Sequence, residues 1–257
     1  MRSARKVKQT PDEYPYSPGD EDAPVLTIGA AHAIAGGLIK AAVGKVRTAL
    51  TGTSKMPCRS YSLPAAACKV GGRLRGIAGS TCNGCYAYER GHYVRGTVKR
   101  AQARKLAAIT HPRWREAMIV IIAYEFLRTG VAFWRWHDSG DLQSAEHYAD
   151  IIAIAEALPE IQFWLPTREA AIVRDGPTPP PNLAVRVSMP MVDARPSAAG
   201  LASGRLYSMV SSSHAAADAV AAEGLASVCH AVADRNGCED CRACWDTSQQ
   251  VITYPLH

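Results

Sequence analysis

The chain has 257 residues, 47% of which are hydrophobic, and it carries 29 Lys and Arg against 23 Asp and Glu. This length and composition predict one large α/β domain with a proper core, and the net charge of +6 permits a polyanionic partner without requiring one. The longest apolar run, at 118–124, is too short to cross a bilayer, and the N-terminus lacks the apolar core of a signal peptide. We therefore expect a soluble, cytoplasmic protein rather than a membrane protein.

The first part of the chain divides into an arm, a segment of small residues and a loop. Residues 1–24 are rich in charge and proline, which predicts a flexible N-terminal arm. Residues 25–50 carry small and aliphatic side chains that suit a short strand followed by a helix. Residues 51–97 contain four cysteines and few periodic runs, so they predict a loop whose cysteine-rich part spans 55–90.

Helices and strands alternate further along the chain. Residues 98–129 predict two helices separated at Pro112, with Gly130 ending the second. The alternation that follows implies parallel strands joined by helical crossovers. Even with 27–30 counted as a strand, fewer than the eight strands of a closed barrel are visible. The other predicted strands are 131–137, 161–166, 183–189 and 205–212, and a helix is predicted over 144–159.

An acidic cluster follows the predicted strand at 131–137. Asp138 and Asp141 flank Gly140 there, beside His137. In α/β folds the reactive groups lie at the carboxyl ends of parallel strands, where a carboxylate can accept a proton or bind the polar edge of a heterocycle. Helix capping is the structural alternative for one acidic residue, and His137 alone is as readily a core residue. Because capping does not explain the whole cluster, we expect a functional site here.

The eight cysteines fall into two groups, which in an intracellular protein favours metal over disulfides. The C-terminal segment, 229–257, contains Cys-x-x-Cys-x-x-Cys, a spacing that suits tetrahedral zinc or, with one remote cysteine, an iron–sulfur cluster. For the other group, two interpretations stay open, which are a second metal site and buried free thiols. The C-terminal group is Cys229, Cys238, Cys241 and Cys244, and the other is Cys58, Cys68, Cys82 and Cys85.

A basic stretch at 89–115 contains one acidic residue and several interleaved aromatic and histidine side chains. Lys and Arg spaced three or four apart share a helix face, which suits contacts to the phosphates of a nucleic acid. A solvated helix face is the alternative. The candidate phosphate-binding residues are Arg95, Lys99, Arg100, Arg104 and Lys105.

The six residues "DSGDLQ" at 138–143 resemble the Asp-Ser-Gly-Gly-Phe-Gln motif of the tRNA-guanine transglycosylases, with Asp141 and Leu142 replacing Gly and Phe. Those are TIM-barrel enzymes that exchange guanine for a 7-deazaguanine. The resemblance therefore implies a single TIM-barrel-like (β/α) domain with cysteine-rich metal-binding insertions, in which Asp138 contacts the incoming base and transfers protons. It also implies a zinc site near the C-terminus. The zinc ligands it suggests are Cys238, Cys241 and Cys244 with His257, or with Cys229 instead of His257.

The order of motifs along the whole chain resembles the phage family called gene product 88. "KMPC", "TCNGCYA", "HDSGD" and the terminal "CEDCRACW" carry this resemblance. Related phage proteins are DNA-guanine transglycosylases that place 7-deazaguanines into viral DNA. The resemblance thus implies DNA more than RNA as substrate, a 7-deazaguanine base as second partner, and the host cytoplasm as location.

These patterns together predict a guanine transglycosylase whose catalytic domain spans 25–257. Base exchange needs a carboxylate nucleophile, a proton shuttle and a pocket for a flipped nucleotide. For the nucleophile we prefer Asp193 over Asp141, because a second strand end lets two carboxylates flank the base. "LPTRE" at 165–169 resembles the stretch beside the transglycosylase nucleophile, but Gln162 stands where that aspartate would be. The expected substrate-binding residues are His137, Ser139, Gly140, Gln143 and Arg168.

Two other functions stay open from the sequence. One is an iron–sulfur enzyme of the radical type, although the chain lacks the Cys-x-x-x-Cys-x-x-Cys run expected of radical enzymes that use S-adenosylmethionine. The other is a zinc-ordered protein that binds nucleic acid without catalysis.

Overall fold

The centre of the protein is a sheet of seven parallel strands. The computed structural model describes residues 26–37, 48–231 and 237–256. The strands are Ser60–Tyr61 (β1), Phe133–Trp136 (β2), Gln162–Thr167 (β3), Leu183–Ser188 (β4), Leu206–Ser211 (β5), Ser227–Val228 (β6) and Val251–Pro255 (β7). They lie in the order β1-β2-β3-β4-β5-β7-β6, and each neighbouring pair is parallel. The predicted α/β class is confirmed.

The sheet is open rather than closed. β1 and β6 stand at opposite ends of the strand order, and no pairing joins them within the described residues. Each is two residues long, so each offers few backbone groups for closing a barrel. The TIM-barrel-like closure that the transglycosylase resemblance implies is therefore not found in this part of the chain.

The helices after residue 97 agree with the sequence pattern, whereas two short helices lie within 51–97, where a loop was predicted. They are Ile28–Ala35 (α1), Val70–Leu74 (α2), Tyr86–Glu89 (α3), Gly96–Ala108 (α4), Trp114–Thr129 (α5), Ala145–Ala157 (α6), Ala170–Asp175 (α7), Ala198–Ala202 (α8) and His214–Ala222 (α9). α4 and α5 are separated at Pro112, as predicted. The strand predicted at 27–30 is wrong, because the Thr27 hydroxyl accepts a hydrogen bond from the Ala30 amide at 3.2 Å and caps α1. The predicted arm, 1–24, lies outside the described residues. None of the helices described is long and apolar enough to cross a membrane.

The two faces of the sheet are covered by different parts of the chain. Strand residues such as Trp136, Phe163 and Val185 pack in the main core with α1, α5 and α6. On the other face Trp164 packs against Trp245 of the C-terminal segment. Helices therefore cover one face, and a segment with little regular structure covers the other.

Arg186, in the middle of β4, attaches the C-terminal segment to the sheet. Its side chain is fully buried, and burial lowers its pKa. The guanidinium donates hydrogen bonds of 2.7–3.1 Å to the carbonyl oxygens of Ala243, Cys244, Asp246 and Gln249. These four acceptors satisfy most of the donors that a guanidinium carries.

Candidate functional site at the carboxyl edge of the sheet

Three hydroxyl groups surround Asp138 where β1 and β2 end. Ser60 Oγ donates to Asp138 Oδ1 at 2.8 Å, and the Ser62 hydroxyl donates to the same oxygen. Tyr93 Oη donates to Asp138 Oδ2 at 2.8 Å. Burial and the charge of Asp138 raise the pKa of Tyr93, so Tyr93 stays a protonated donor. The carboxylate of Asp138 is half-buried and held in one orientation.

Lys105 and Thr51 extend this network away from Asp138. Lys105 Nζ donates to Thr51 Oγ1 at 2.9 Å, and the hydroxyls of Thr51 and Ser62 are hydrogen-bonded at 2.7 Å. Burial lowers the pKa of Lys105 to about 8, although the charge of Asp138 raises it. Thr51, Ser62, Tyr93 and Lys105 all line one cavity of about 410 Å³.

Asp141 is a second, more deeply buried carboxyl group. Its Oδ1 accepts hydrogen bonds from the Thr167 hydroxyl at 2.6 Å and the Leu142 amide at 2.8 Å, and its Oδ2 accepts one from the Arg168 amide at 2.9 Å. Burial raises the pKa of Asp141 to about 6, and these three donors oppose that rise. Asp141 therefore ties the turn after β2 to the end of β3 and titrates close to neutral pH.

Two cysteines of the loop after β1, Cys68 and Cys82, approach Asp141, and Cys85 lies near both. The sulfurs of Cys68 and Cys82 lie 4.0 and 3.4 Å from the point where a Cβ on Gly71 would stand. Burial raises the pKa of Cys68 to about 12, helped by the charges of Asp141, Cys85 and Cys82. Three thiols and one carboxyl therefore share the carboxyl edge of the sheet.

Arg168 joins these thiols to the loop after β4. Its guanidinium donates to the carbonyl oxygens of Ser188, at 3.1 Å, and Met189. Burial raises the pKa of Cys82, and the charge of Arg168 and its hydrogen bond to the thiol oppose that rise. The side chain predicted to bind substrate is thus already bonded to protein groups.

The backbone between the two aspartates packs against Leu63. Gly140 has a φ of 83°, and a Cβ there would lie 2.5 Å from Leu63 Cβ. The Ser139 carbonyl accepts a hydrogen bond from the Leu63 amide at 2.8 Å, and Gln143 Nε2 donates to the Asp141 carbonyl at 2.8 Å. Glycine is required here for the close approach of the β1 loop, whereas the sequence predicted a substrate-binding role for Gly140.

His137 lies in the core rather than at the open edge. It is 3% exposed, and its ring centroid is 5.3 Å from that of His147. Burial lowers its pKa well below the usual value, and neither ring nitrogen has a hydrogen-bond partner among the described residues. The structure therefore does not bring this imidazole to the carboxylates beside it in sequence.

Asp193 is exposed in the loop after β4. It has a φ of 60°, and its Oδ1 accepts a hydrogen bond from the Ser212 amide at 2.8 Å. Its amide donates to the Val210 carbonyl of β5 at 2.8 Å, and β3 and β4 lie between β2 and β5, so the strand ends beside Asp138 and Asp193 are about 14 Å apart. Asp138 and Asp141 are close together, and Asp193 lies further along the same edge.

The C-terminal cysteines form a separate group, which Cys58 joins. Burial raises the pKa of Cys58 to about 12, with a further contribution from the charge of Cys238. The structure thus separates Cys58 from the three cysteines with which the sequence grouped it. Among the residues described, no three Cys, His, Asp or Glu side chains are arranged to hold a metal ion, and His257 lies outside them. A cavity of about 240 Å³ is lined by Cys229, Cys238, Cys241 and Cys244.

The basic stretch divides between surface and interior. Arg95, Lys99 and Arg100 are exposed, whereas Arg104 is half-buried and Lys105 is only 6% exposed. Both of the last two line the cavity of about 410 Å³. Three of the five predicted phosphate-binding side chains are therefore free to meet a large ligand.

The hydroxyl groups that hold Asp138 were not identified from the sequence. β1 is two residues long, so it has no periodic pattern, and its only signal is a tyrosine between Ser60 and Ser62. Tyr93 stood out merely as one aromatic residue in the basic stretch. The roles of these side chains follow from strand pairing of β1 with β2.

Comparison with known proteins gives a family and no closer relative. The family model described as Gene product 88 matches residues 33–247, which include Asp138, Asp141 and all four C-terminal cysteines. No curated protein and no solved structure matches the chain.

Proposed function

This chain belongs to the Gene product 88 family, and we propose that it is a guanine transglycosylase, an enzyme that exchanges guanine in nucleic acid for a 7-deazaguanine base. The observation that carries the proposal is the oriented carboxylate of Asp138, whose hydrogen-bond partners Ser62 and Tyr93 line a cavity of about 410 Å³. That volume lies within the range of small-molecule sites. Enzymes that act on a base in nucleic acid take it out of the stack into such a pocket.

Asp138 binds the base in this proposal. The departing guanine gains a proton on the nitrogen that was bonded to the sugar, and the incoming base loses one from the same position. Ser60 and Tyr93 orient the carboxylate, which can then accept a hydrogen bond from an N–H of either base. Asp141, with a pKa of about 6, is a neighbouring group able to take up or release a proton near neutral pH.

Asp193 is the proposed nucleophile. Its carboxylate attacks the anomeric carbon, and the carbon–nitrogen bond breaks with its electron pair moving to the base. The new base then displaces the carboxylate and restores it. Oδ1 of Asp193 accepts a hydrogen bond from the Ser212 amide, and Oδ2 has no hydrogen-bond partner among the described residues. Both oxygens of Asp141 are engaged by donors, which disfavours it for this step.

The proposed substrate is DNA rather than RNA, and the proposed second partner is a free 7-deazaguanine base. The exposed Arg95, Lys99 and Arg100 suit contacts to a phosphate backbone. This choice of substrate depends on the resemblance to phage DNA enzymes described above.

Release of labelled guanine tests the proposal directly. The purified protein is incubated with a DNA or RNA oligonucleotide that carries ¹⁴C-guanine, with and without a 7-deazaguanine, and the product is digested to nucleosides for mass spectrometry. We expect guanine release together with the appearance of the deazaguanine nucleoside. Polynucleotide binding without any release would instead favour the non-catalytic binding protein.

A second candidate, an iron–sulfur enzyme, is favoured by the meeting of Cys68, Cys82 and Cys85 at the carboxyl edge. Iron–sulfur clusters are held by cysteine thiolates, and a cluster spreads its ligands more widely than a single ion does. Three thiols beside Asp141 are therefore compatible with a cluster, even though no group of described side chains fits one ion. A bound cluster would supply electron transfer at this edge.

Anaerobic purification separates this candidate from base exchange. The cluster would be supported if the wild-type protein contained iron and acid-labile sulfide and showed a visible absorption band. All three should be lost in Cys82→Ser and kept in Cys241→Ser. A colourless protein without iron after anaerobic purification would remove it.

Zinc bound by the C-terminal cysteines is a further proposal. The donor types suit zinc, but the described side chains are not arranged around one ion. Elemental analysis tests it, since Cys241→Ser is expected to lose one zinc equivalent. A wild-type protein without zinc would contradict it.

A further inference from the structure

The cavity beside Asp138 contains two cationic side chains that the proposed chemistry does not use. Arg104 and Lys105, both on α4, line its wall. The nearest carboxylate in the network, Asp138, is bonded to Ser62 and Tyr93 and forms no ion pair with either cation within 4 Å in the described part of the chain. The cavity therefore carries positive charge that its own side chains do not neutralise by contact.

Lys105 has hydrogen-bonding capacity to spare. An ammonium group carries three donors, and the described residues provide Lys105 Nζ with one acceptor, Thr51 Oγ1 at 2.9 Å. The Tyr61 ring lies 5.2 Å away and contributes only a cation–π contact. A charged group that is 6% exposed and keeps unused donors is costly unless an acceptor reaches it.

Arg104 and two aromatic rings complete the cavity. Arg104 Nε is buried and has no hydrogen-bond partner among the described residues. The His92 and Tyr93 rings contact each other on the same wall, with centroids 3.9 Å apart and planes inclined by 35°, and Thr97 adds a hydroxyl. A guanidinium fork, an ammonium and hydroxyls are the donors that recognise phosphate, and adjacent aromatic rings suit a nucleobase.

We propose that this cavity binds the phosphate of a nucleotide, with Lys105 and Arg104 as its ligands and the His92 and Tyr93 rings against the base. The inference rests on the proposed function only for the source of the phosphate. Under that function, the phosphate belongs to the target nucleotide of a polynucleotide. A free nucleotide offers the same chemistry. Lys105 acts as an anion-binding residue inside the site, not as a contact on the outer surface of a duplex.

Calorimetric titration of the full chain tests this without any turnover. The probes are deoxyguanosine 5′-monophosphate, deoxyguanosine, inorganic phosphate and a short single-stranded oligonucleotide. We expect the monophosphate to bind at least tenfold more tightly than the nucleoside, and inorganic phosphate to compete with it. Lys105→Met should abolish that preference, whereas Lys55→Met, the same change at an exposed lysine, should keep it.

Several outcomes would overturn the inference. They are equal affinity for nucleoside and monophosphate, no binding of either, and an unchanged preference in Lys105→Met. If Lys105→Met does not fold, Arg104→Met provides the same test from the second cation. Tighter binding of the oligonucleotide assigns the phosphate to a polynucleotide, and tighter binding of the monophosphate to a free nucleotide. A positive titration with no guanine release would reject the proposed function and leave the phosphate site standing.

Discussion

The carboxyl edge of the sheet and the C-terminal segment both collect cysteines and charged groups, but they satisfy their polar atoms differently. Under the C-terminal segment, Arg186 donates hydrogen bonds to four backbone carbonyls. At the carboxyl edge Lys105 uses one donor of three and faces a cavity. Saturated buried polar groups hold a fold together, whereas a buried cation with spare donors beside a cavity is suited to bind a ligand. The comparison indicates a structural role for Arg186 and is consistent with the proposed ligand-binding role of Lys105.

The sharpest test of the chemical region is Asp138→Asn. The amide keeps the shape of the side chain but cannot take up a proton, so the rate of guanine release should fall by about 10²- to 10⁴-fold. The free energy of unfolding should change far less, because Ser60 and Ser62 can still donate to the amide oxygen, and the Tyr93 hydroxyl can accept a hydrogen bond from the amide nitrogen. Rates are measured by single-turnover release of labelled guanine.

The control for that variant is Asp218→Asn, which changes an exposed aspartate on α9. It should exchange bases at the wild-type rate. Wild-type turnover in Asp138→Asn would remove Asp138 from the reaction.

The structural region is tested by Arg186→Met. Loss of the guanidinium leaves several buried carbonyls without donors, so we expect the free energy of unfolding to fall by about 3–5 kcal/mol. In Arg186→Lys the free energy of unfolding should fall by less, because an ammonium has donors but cannot reach all four acceptors. Urea denaturation followed by tryptophan fluorescence reports the change, since Trp245 lies in the attached segment.

Arg195→Met is the matched control, because Arg195 forms an exposed ion pair with Glu223. Such pairs contribute about 0–1 kcal/mol. Nucleotide binding by the folded fraction of Arg186→Met should match the wild type. A fully stable Arg186→Met, or one that loses binding while folded, would break the division between the two regions.

A third test uses the pKa of Asp141. Because burial raises that pKa to about 6, the folded protein binds a proton more tightly than the unfolded chain, whose carboxyl titrates near 3.8. The contribution to stability is therefore present at low pH and is lost as the pH rises from about 4 to 6. The difference in unfolding free energy, wild type minus Asp141→Asn, should fall by about 3 kcal/mol over that window.

Taking the difference between the two proteins is essential here. His147, whose pKa burial lowers to about 3, makes the protein more stable as the pH rises through the same window. Both proteins share that effect, so it cancels. A difference that stays flat from pH 4 to 6 would mean that Asp141 is not desolvated as the structure describes.

The sequence predicted the central strands well because they are apolar runs bounded by turns. β3, β4 and β5 lie within or near the predicted segments. β1 and β6 are too short to carry a pattern. β7 was not predicted, because the cysteines before it led us to interpret the C-terminal segment as a metal site. Closure into a barrel was inferred from a six-residue resemblance and not from strands, so nothing in the chain itself supported it.

The site was predictable where chemistry lies next to a strand end and hidden where it depends on tertiary contacts. Asp138 and Asp141 follow β2 closely in the sequence, so the strand pattern alone was enough to identify them as candidates. Lys105 looked like one of several surface cations, because helix spacing does not reveal that it turns towards a cavity. Cys58 was grouped by its position in the sequence, whereas in space it lies with Cys238.

The smallest expected effect concerns the surface beside the chemical region. Replacing Arg95, Lys99 and Arg100 together by Ala should lower the slope of log affinity against log salt by up to about 2.7, or about 0.9 for each lost contact to duplex DNA. Arg104 and Lys105 are left intact, since they line the cavity. The equal-charge control replaces Arg128, Arg174 and Arg205, which precede β2, β4 and β5 and therefore lie towards the opposite edge. Fluorescence anisotropy with a labelled duplex at several salt concentrations gives both slopes. If the two triple variants change the slope equally, the effect is one of net charge, and the exposed face of α4 is a solvated helix surface.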